Sequence, residues 1–428
     1  MKRFKKSNKF FKKVSRVIPL ASQTFSKSYL QFIKGQAPLF LERGAGARVW
    51  DIDGHEYIDF INGLLSVILG YRYPAVDKAI KKQLERGISL SLSSPLEYEL
   101  AELLKKHIPC AEMVRFGKNG SDVTSGAVRL ARAVTKRDHI IVCGYHGWHD
   151  WYIGSTTRHL GVPESTRKLT HKFVYNNIDS LEKILKRYKG QVAAVIMEPM
   201  SYEEPKDNFL QKVKKITHEH GALLIFDEVI TGFHFSLGGA QKYYGVTPDL
   251  AAFGKAMANG MPIAALVGRR KYMQKVGDIF YSFTFGGEAL SLAAAIATIK
   301  EMERRNVIGY LWRLGKYLQD NTRGLLAKYG LDVIIKVEGK PFWQVFIISQ
   351  HKKYSGLEIK SFIQQEVLQA GFLWYGQHNM SFSHTRRDID KLLVAYDDIF
   401  GRLKEYLESD KLRRHLKGKP ITNIFKVR

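Results

Sequence analysis

The chain has 428 residues, enough for a large domain with a smaller companion, and its 45% apolar and 25% charged composition excludes a fibrous or largely disordered protein. Its 67 Lys and Arg against 41 Asp and Glu leave a formal charge of +26, which would suit nucleic acid, an anionic membrane surface or phosphorylated ligands, although outside the first residues much of it is lysine scattered on helix-like segments, usually a solvated face. Two cysteines, Cys110 and Cys143, cannot build a disulfide framework, and both sit in apolar runs that suit buried, reduced thiols, so a reducing, cytoplasmic setting is expected.

The chain opens with MKRFKKSNKFFKKVSR, strongly basic and without an apolar stretch before VIPLAS, which argues against a secretory signal. A transit peptide is conceivable because acids are absent there, but the reading adopted is a basic surface arm over residues 1–30. RVWDIDGHEYIDF follows, where Asp53-Gly54 between alternating apolar residues predicts a hairpin. Further on, short apolar runs alternate with helical patterns: HIIVCG at 139, VAAVIME at 192, ALLIFDE at 222, LAAFGK at 250 and PIAALVG at 262. These runs read as buried parallel strands. Between them lie SLEKILKRYK and FLQKVKKITHEHG, the second closing on Gly221 as a helix C-terminus would. The alternation predicts an α/β fold, a mostly parallel sheet with helices on both faces. ALSLAAAIATI at 289 to 299 is too short to span a bilayer and reads as a buried helix. After about residue 305 the pattern changes to long helices with a few strands. The expected organisation is a basic arm (1–30), the first part of a small domain (31–70), a large domain (71–305) and the rest of the small domain (306–428), so that both termini build one small α+β domain.

Ligands of open α/β sheets collect beyond the carboxyl ends of the strands, which directs attention to the residues just after each run. They are Tyr145 and His146 after IIVCG, Glu198 after VAAVIM, Asp227 after ALLIF and Lys255 after LAAFG. Lys255 precedes AMANGM, which offers no acid to pair it, and a desolvated lysine is a nucleophile suited to a Schiff base. The alternative is a lysine that snorkels to the surface. Asp227, at the rim of the sheet with limited water, requires a charged partner, and a protonated pyridine nitrogen would supply one. A helix-capping Asp or a metal ligand are the alternatives, and neither explains the lysine 28 residues on (255 − 227). Asn119-Gly120-Ser121-Asp122 opens a helical pattern and would present free backbone N–H groups to a phosphate, unless it is a plain N-cap by Ser121 or Asp122. Tyr145 could cover a flat ring and His146 could orient it or exchange a proton, and each could equally be a core or satisfied hydrogen-bonding residue. No metal motif and no nucleotide-fold glycine pattern accompany these residues, and no helix-turn-helix, zinc-finger or RNA-binding signature accompanies the basic charge.

DEVITGF at 227 to 233 followed by FGKAMANGMP at 253 to 262 resembles the class III aminotransferases, pyridoxal-phosphate enzymes of fold type I. The likeness runs through most of the chain, with RGAGARVWDIDGHEYIDF similar to the family's hairpin, KNGSDVTSGAVRLARA to its phosphate turn, GYHGWHD to its ring-stacking loop and SFTFGGEALSLAAA to its second phosphate contact. VIPLASQTFSK and HNMSFSHTRRDIDKLL look closest to the glutamate-1-semialdehyde aminomutase branch. The resemblance implies pyridoxal 5'-phosphate held by Lys255, which also carries the proton, with Asp227 on the pyridine nitrogen and Tyr145 completing the catalytic set. It implies ring contacts from Val229 and Tyr145, cofactor contacts from His146 and Glu198, and a phosphate held by Asn119, Gly120 and Ser121. Thr284 would reach the phosphate of a neighbouring subunit, which implies a homodimer with shared active sites. The pattern also departs from the family: Ile230 stands where many members carry Gln, His234 where Arg is usual, no Asn follows Glu198-Pro199 in MSYEEP, and Leu64 and Leu65 replace a tryptophan near the substrate. An altered substrate pocket is expected.

The function implied is a ping-pong transfer of an amino group between a small-molecule donor and an oxo acceptor, without a membrane or nucleic-acid partner. An aminomutase that moves nitrogen within one molecule is the alternative. A third reading is an altered enzyme scaffold whose basic arm binds nucleic acid.

Overall fold

The computed structural model describes residues 3–200 and 202–422; Met1 and Lys2 of the basic arm, Ser201 of the MSYEEP segment and residues 423–428 of the expected small domain lie outside it. The chain divides into two compact units, one holding the described residues up to Tyr73 together with those from Gly309 onward, the other Pro74–Ile308.

The first unit begins with a helix, Lys5–Val14, and continues into strands β1 (Leu41–Ala45), β2 (Arg48–Asp51) and β3 (Glu56–Asp59). β2 and β3 pair antiparallel around Asp53-Gly54, with Gly54 at φ 92°, so the predicted hairpin forms. The basic arm is tied down. Asp53 accepts the backbone N–H groups of Lys6 at 2.6 Å and Ser7 at 2.8 Å, so a hairpin carboxylate caps the first turn of Lys5–Val14. Phe10 packs edge-on against Phe40, and Phe11 against Tyr29, each at 4.9 Å between ring centres. Burial opposes ionisation of Asp53, but the hydrogen bonds from Ser7 and Lys6 outweigh it and hold the carboxyl below the usual range. A lowered folded-state value gives stability that is present above the ordinary carboxylate range and lost as pH falls through the folded value. Asp53→Asn is therefore expected to loosen the helix by about 1 kcal/mol, read as faster tryptic cleavage between Lys5 and Arg16 near neutral pH. Cleavage at the unaltered rate would show that the carboxylate does not hold it.

The second unit carries β4 (Met113–Gly117), β5 (His139–Cys143), β6 (Thr170–Lys172), β7 (Val192–Met197), β8 (Leu223–Glu228), β9 (Leu250–Phe253) and β10 (Ala264–Gly268) in one sheet of order β4-β10-β9-β8-β7-β5-β6. β7 and β8 are buried at every position, as near-continuous apolar runs require when helices cover both faces. PIAALVG departs from expectation. β10 pairs antiparallel with both β4 and β9. A strand buried on both faces reads the same in either direction, and the link from Phe253 to Ala264 is short for the crossover that a parallel neighbour needs. Because β10 is antiparallel to both neighbours, β4 still shares the direction of β9, and all the other strands end at one edge. The helix Phe209–Glu219 ends with Gly221 at φ 67°, as expected, and the helix Ala289–Arg304 is buried over most of its length.

The first unit is completed by β11 (Ile335–Lys340), β12 (Trp343–Ile348), β13 (Phe372–Leu373) and β14 (Gln377–Asn379), with the helices Gly356–Gln369 and Arg386–Glu408. β13 joins β3 in parallel, so segments from both ends of the chain share the sheet β1-β2-β3-β13, while β11, β12 and β14 form a second sheet. The NGLL segment adopts an unusual conformation. Asn62, Gly63, Leu64 and Leu65 all lie in the left-handed region, at φ 51°, 57°, 63° and 68°. For the non-glycine residues this costs roughly 1–2 kcal/mol each. Buried Asp59 holds the entry by accepting Ile61 N at 2.7 Å, Asn62 N at 3.0 Å and the Tyr71 hydroxyl at 2.7 Å. Among the described residues, no helix is long and apolar enough to cross a membrane.

Candidate active site

The site residues follow the carboxyl ends of the strands of the second unit. After β4 the chain turns through Asn119 into the helix Gly120–Thr135. Asp122, not Ser121, serves the turn, accepting Lys118 N at 3.0 Å and Asn119 N at 2.7 Å. The N–H groups of Gly120 and Ser121 have no acceptor among the described residues, the usual condition of a first helical turn. They sit at the positive end of a 16-residue helix, which favours an anion.

After β5, Gly144 and Gly147 take φ values of 107° and 105° and bracket Tyr145 and His146. Both glycines also make room. A Cβ on Gly144 would stand 2.5 Å from Glu198 Oε2, and one on Gly147 would overlap Ser121 Oγ and approach Ser121 Cβ at 2.9 Å. Glu198, 5% exposed, accepts the backbone N–H of Tyr145 at 3.1 Å, so this carboxylate fixes the loop that carries the aromatic ring. The Thr124 hydroxyl lies 2.9 Å from His146 O and 3.2 Å from Ser121 O, Trp148 N donates to Ser121 Oγ at 3.3 Å, and the Tyr152 hydroxyl donates to Gly144 O at 2.8 Å. Thr124, Trp148 and Tyr152 were not singled out from the sequence. The two glycines around Tyr-His were the visible signal of a loop shaped this tightly.

At the end of β8, Asp227 is 5% exposed and pairs with His146 Nδ1 at 2.8 Å, while its other oxygen accepts Val229 N at 3.1 Å. His146 is itself 2% exposed, and its Nε2 is buried without a partner among the described residues. A buried carboxylate held beside an incompletely satisfied imidazole is a costly arrangement, of the sort that a bound charged group would complete. Val229 lies over Gly120, whose missing side chain leaves its methyls 3.0 and 3.1 Å from where a Cβ would be, and it also flanks Gly254. Gly254 leads from β9 into Lys255, which is half-buried at φ 39° and opens the short turn Lys255–Ala258. Among the fully apolar neighbours Ala256, Met257 and Ala258, its ammonium carries the charge of that turn.

His234, which occupies the usual Arg position, is completely buried and bonded through Nδ1 to Ile230 O at 2.8 Å, so it holds the turn after β8. Burial pulls its pKa down to about 4, which keeps it neutral near pH 7. The neighbouring Glu228 is equally buried, accepts hydrogen bonds from Thr231, Ala240 and Gln241, and is pushed up to about 7 by burial. The structure brings together Asn119, Gly120, Ser121, Tyr145, His146, Glu198, Asp227, Val229 and Lys255 through these contacts; Thr284 stands apart from them on an exposed turn between exposed Phe280 and Phe285.

Gly147→Ala should disturb this turn more than an ordinary loop change, because both the positive φ and the approach to Ser121 forbid a side chain. We expect a cofactor dissociation constant raised about tenfold or more, read by titration of the apoprotein. Unchanged affinity would remove the Ser121 turn from cofactor binding.

The family description "Aminotransferase class-III" matches residues 31–386. The chain is 35% identical to the 3-aminobutyryl-CoA aminotransferase of Cloacimonas acidaminovorans (strain Evry), over 94% of this chain and 98% of that protein. It is 35% identical to the glutamate-1-semialdehyde 2,1-aminomutase of Aquifex aeolicus (strain VF5), over 93% of this chain and all of that one. Among solved structures, the pyridoxal-phosphate internal aldimine form of the Sphingopyxis sp. MTA144 FumI protein superposes with a TM-score of 0.88 at 29% identity, covering 95% of this chain and 98% of that chain.

Proposed function

The chain belongs to the class III aminotransferases, of fold type I, and on that premise we propose that it moves an amino group from a small-molecule donor to an oxo acceptor with pyridoxal phosphate as cofactor. The observation that carries the reading is the buried Asp227–His146 pair at the strand edge that also leads to Lys255 and to the Gly120-Ser121 turn. The cofactor supplies an electron sink for charge released at the substrate carbon.

The chain's own residues then have separable tasks. Lys255 would hold the cofactor, and its amine would move the proton at the substrate carbon. Asp227 would keep the ring nitrogen protonated, and His146 orients Asp227 through the 2.8 Å bond. Gly120, Ser121 and Asn119 hold the phosphate with the helix N-terminus behind them. Val229 and Tyr145 would confine the ring, and Glu198 keeps Tyr145 in place through its backbone. Thr284 serves the phosphate of a second copy, which makes the working form a homodimer.

The intramolecular reaction is the second reading, favoured by the near full-length similarity to glutamate-1-semialdehyde aminomutases. Loading the protein with pyridoxamine phosphate and screening oxo compounds for return of the lysine-bound absorbance tests the first reading. Failure of every oxo compound, together with turnover of a diamino or amino-aldehyde compound alone, would replace it with the mutase.

A further inference from the structure

The first acidic residue of the chain is Glu42, so the N-terminal helix and its continuation carry their cations without any acid nearby in sequence. The structure fixes those cations on one side. Lys5, Lys6, Lys9, Lys12, Lys13 and Arg16 are all exposed. None of them forms an ion pair among the described residues, whereas the surface lysines Lys105, Lys106, Lys186, Lys300 and Lys328 are matched with Glu or Asp. At 100° per residue, Lys5, Lys9 and Lys12 fall within an arc of about 60° along about 10 Å of axis, and Arg16 follows in the turn just beyond the helix. The opposite side, with Phe4 and Ser7 buried and Phe11 packed on Tyr29, is docked onto the protein. The ridge is therefore rigid and faces outward.

Two features select its partner. The cations are five lysines and one arginine, compact point charges without the forked geometry that reads individual phosphates. Apolar side chains flank them: Phe10 is 45% exposed and Val17, just beyond the helix, is 79% exposed. Diffuse positive charge bordered by exposed apolar groups matches the headgroup region of an anionic bilayer, which offers both a negative surface and a shallow apolar layer. We propose that the outward face of Lys5–Val14, extended by Arg16 and Val17, is a peripheral contact surface for anionic lipid. The sequence shows the charge but not that the helix is held with its cations outward and unpaired.

The full-length protein is tested by cosedimentation with vesicles of phosphatidylcholine alone and of phosphatidylcholine mixed with phosphatidylglycerol, at low and high salt. Binding to the mixed vesicles only, weakening with salt, is expected. The combined change Lys5→Gln, Lys9→Gln, Lys12→Gln, Lys13→Gln and Arg16→Gln should weaken it roughly fivefold per cation removed, and more than about a hundredfold together, with transamination unaltered. Removing the same number of exposed cations from the second unit, at Lys78, Lys81, Lys82, Lys183 and Lys189, should leave most of the binding in place. Val17→Ser should diminish the fraction that survives high salt. Absence of binding to the mixed vesicles, or equal loss in both charge-removal variants, overturns the proposal. So does preferential binding of a single-stranded oligonucleotide that the ridge variant abolishes, which would assign the face to nucleic acid.

Discussion

Lys255→Ala is expected to eliminate borohydride-trapped cofactor and to lower kcat by at least about a thousandfold, because in the proposed reaction one amine would both hold the cofactor and move the proton. The residue follows a fully buried strand and leads into the buried Ala256, Met257 and Ala258. Its backbone lies at φ 39°, a left-handed conformation that positions the side chain at the strand edge and that Ala can tolerate only with strain. The variant should retain pyridoxamine phosphate, held by the Ser121 turn and Asp227, while losing the covalent adduct. Reduction with borohydride followed by peptide mapping reads this directly. An adduct that persists on another lysine would sink the assignment of Lys255.

Asp227→Asn is expected to have the next largest effect, a fall in kcat of about a hundredfold to ten-thousandfold with the covalent adduct still formed. The carboxylate is buried between His146 Nδ1 at 2.8 Å and Val229 N at 3.1 Å, and its negative charge is what would keep a ring nitrogen protonated. Removing one member of a buried charged pair costs about 3–5 kcal/mol, which corresponds to a rate loss within that range when the interaction is needed in the transition state. Asn keeps the shape and one acceptor, so folding should survive, and the split between retained adduct and lost turnover separates an electronic role from a structural one. Adduct formation and turnover both intact would show that Asp227 does not face the ring nitrogen. His146→Phe should give a smaller loss in the same direction, since it removes only the group that orients Asp227.

Several site residues were legible because strand patterns and strand ends are local features. The runs before Tyr145, Glu198, Asp227 and Lys255 announce themselves by composition, and whatever follows a buried parallel strand lies at the ligand edge. What connects those residues is not local. The bond between His146 and Asp227 joins positions 81 apart, and Glu198 reaches back 53 residues to the backbone of Tyr145. Thr124 and Tyr152 gave no sequence signal because a hydroxyl on an ordinary helix is silent until the chain it bonds is beside it. His234 is the opposite case: in sequence it is only a departure from the family's usual Arg, and the structure shows it buried and bonded to Ile230 O, holding the turn after β8.

By itself the sequence determined the alternating α/β architecture, the hairpin at Asp53-Gly54, the helix opened by Asn119 and Gly120, and the family to which the chain belongs, since each depends on periodicity, turn chemistry or an ordered string of residues. Only the tertiary structure decided that PIAALVG runs antiparallel, because an apolar strand buried on both faces carries no mark of its direction. It also decided that the basic N-terminal segment is a docked helix, because the Asp53 carboxylate that caps it lies on a hairpin far along the chain, and capping acts through space.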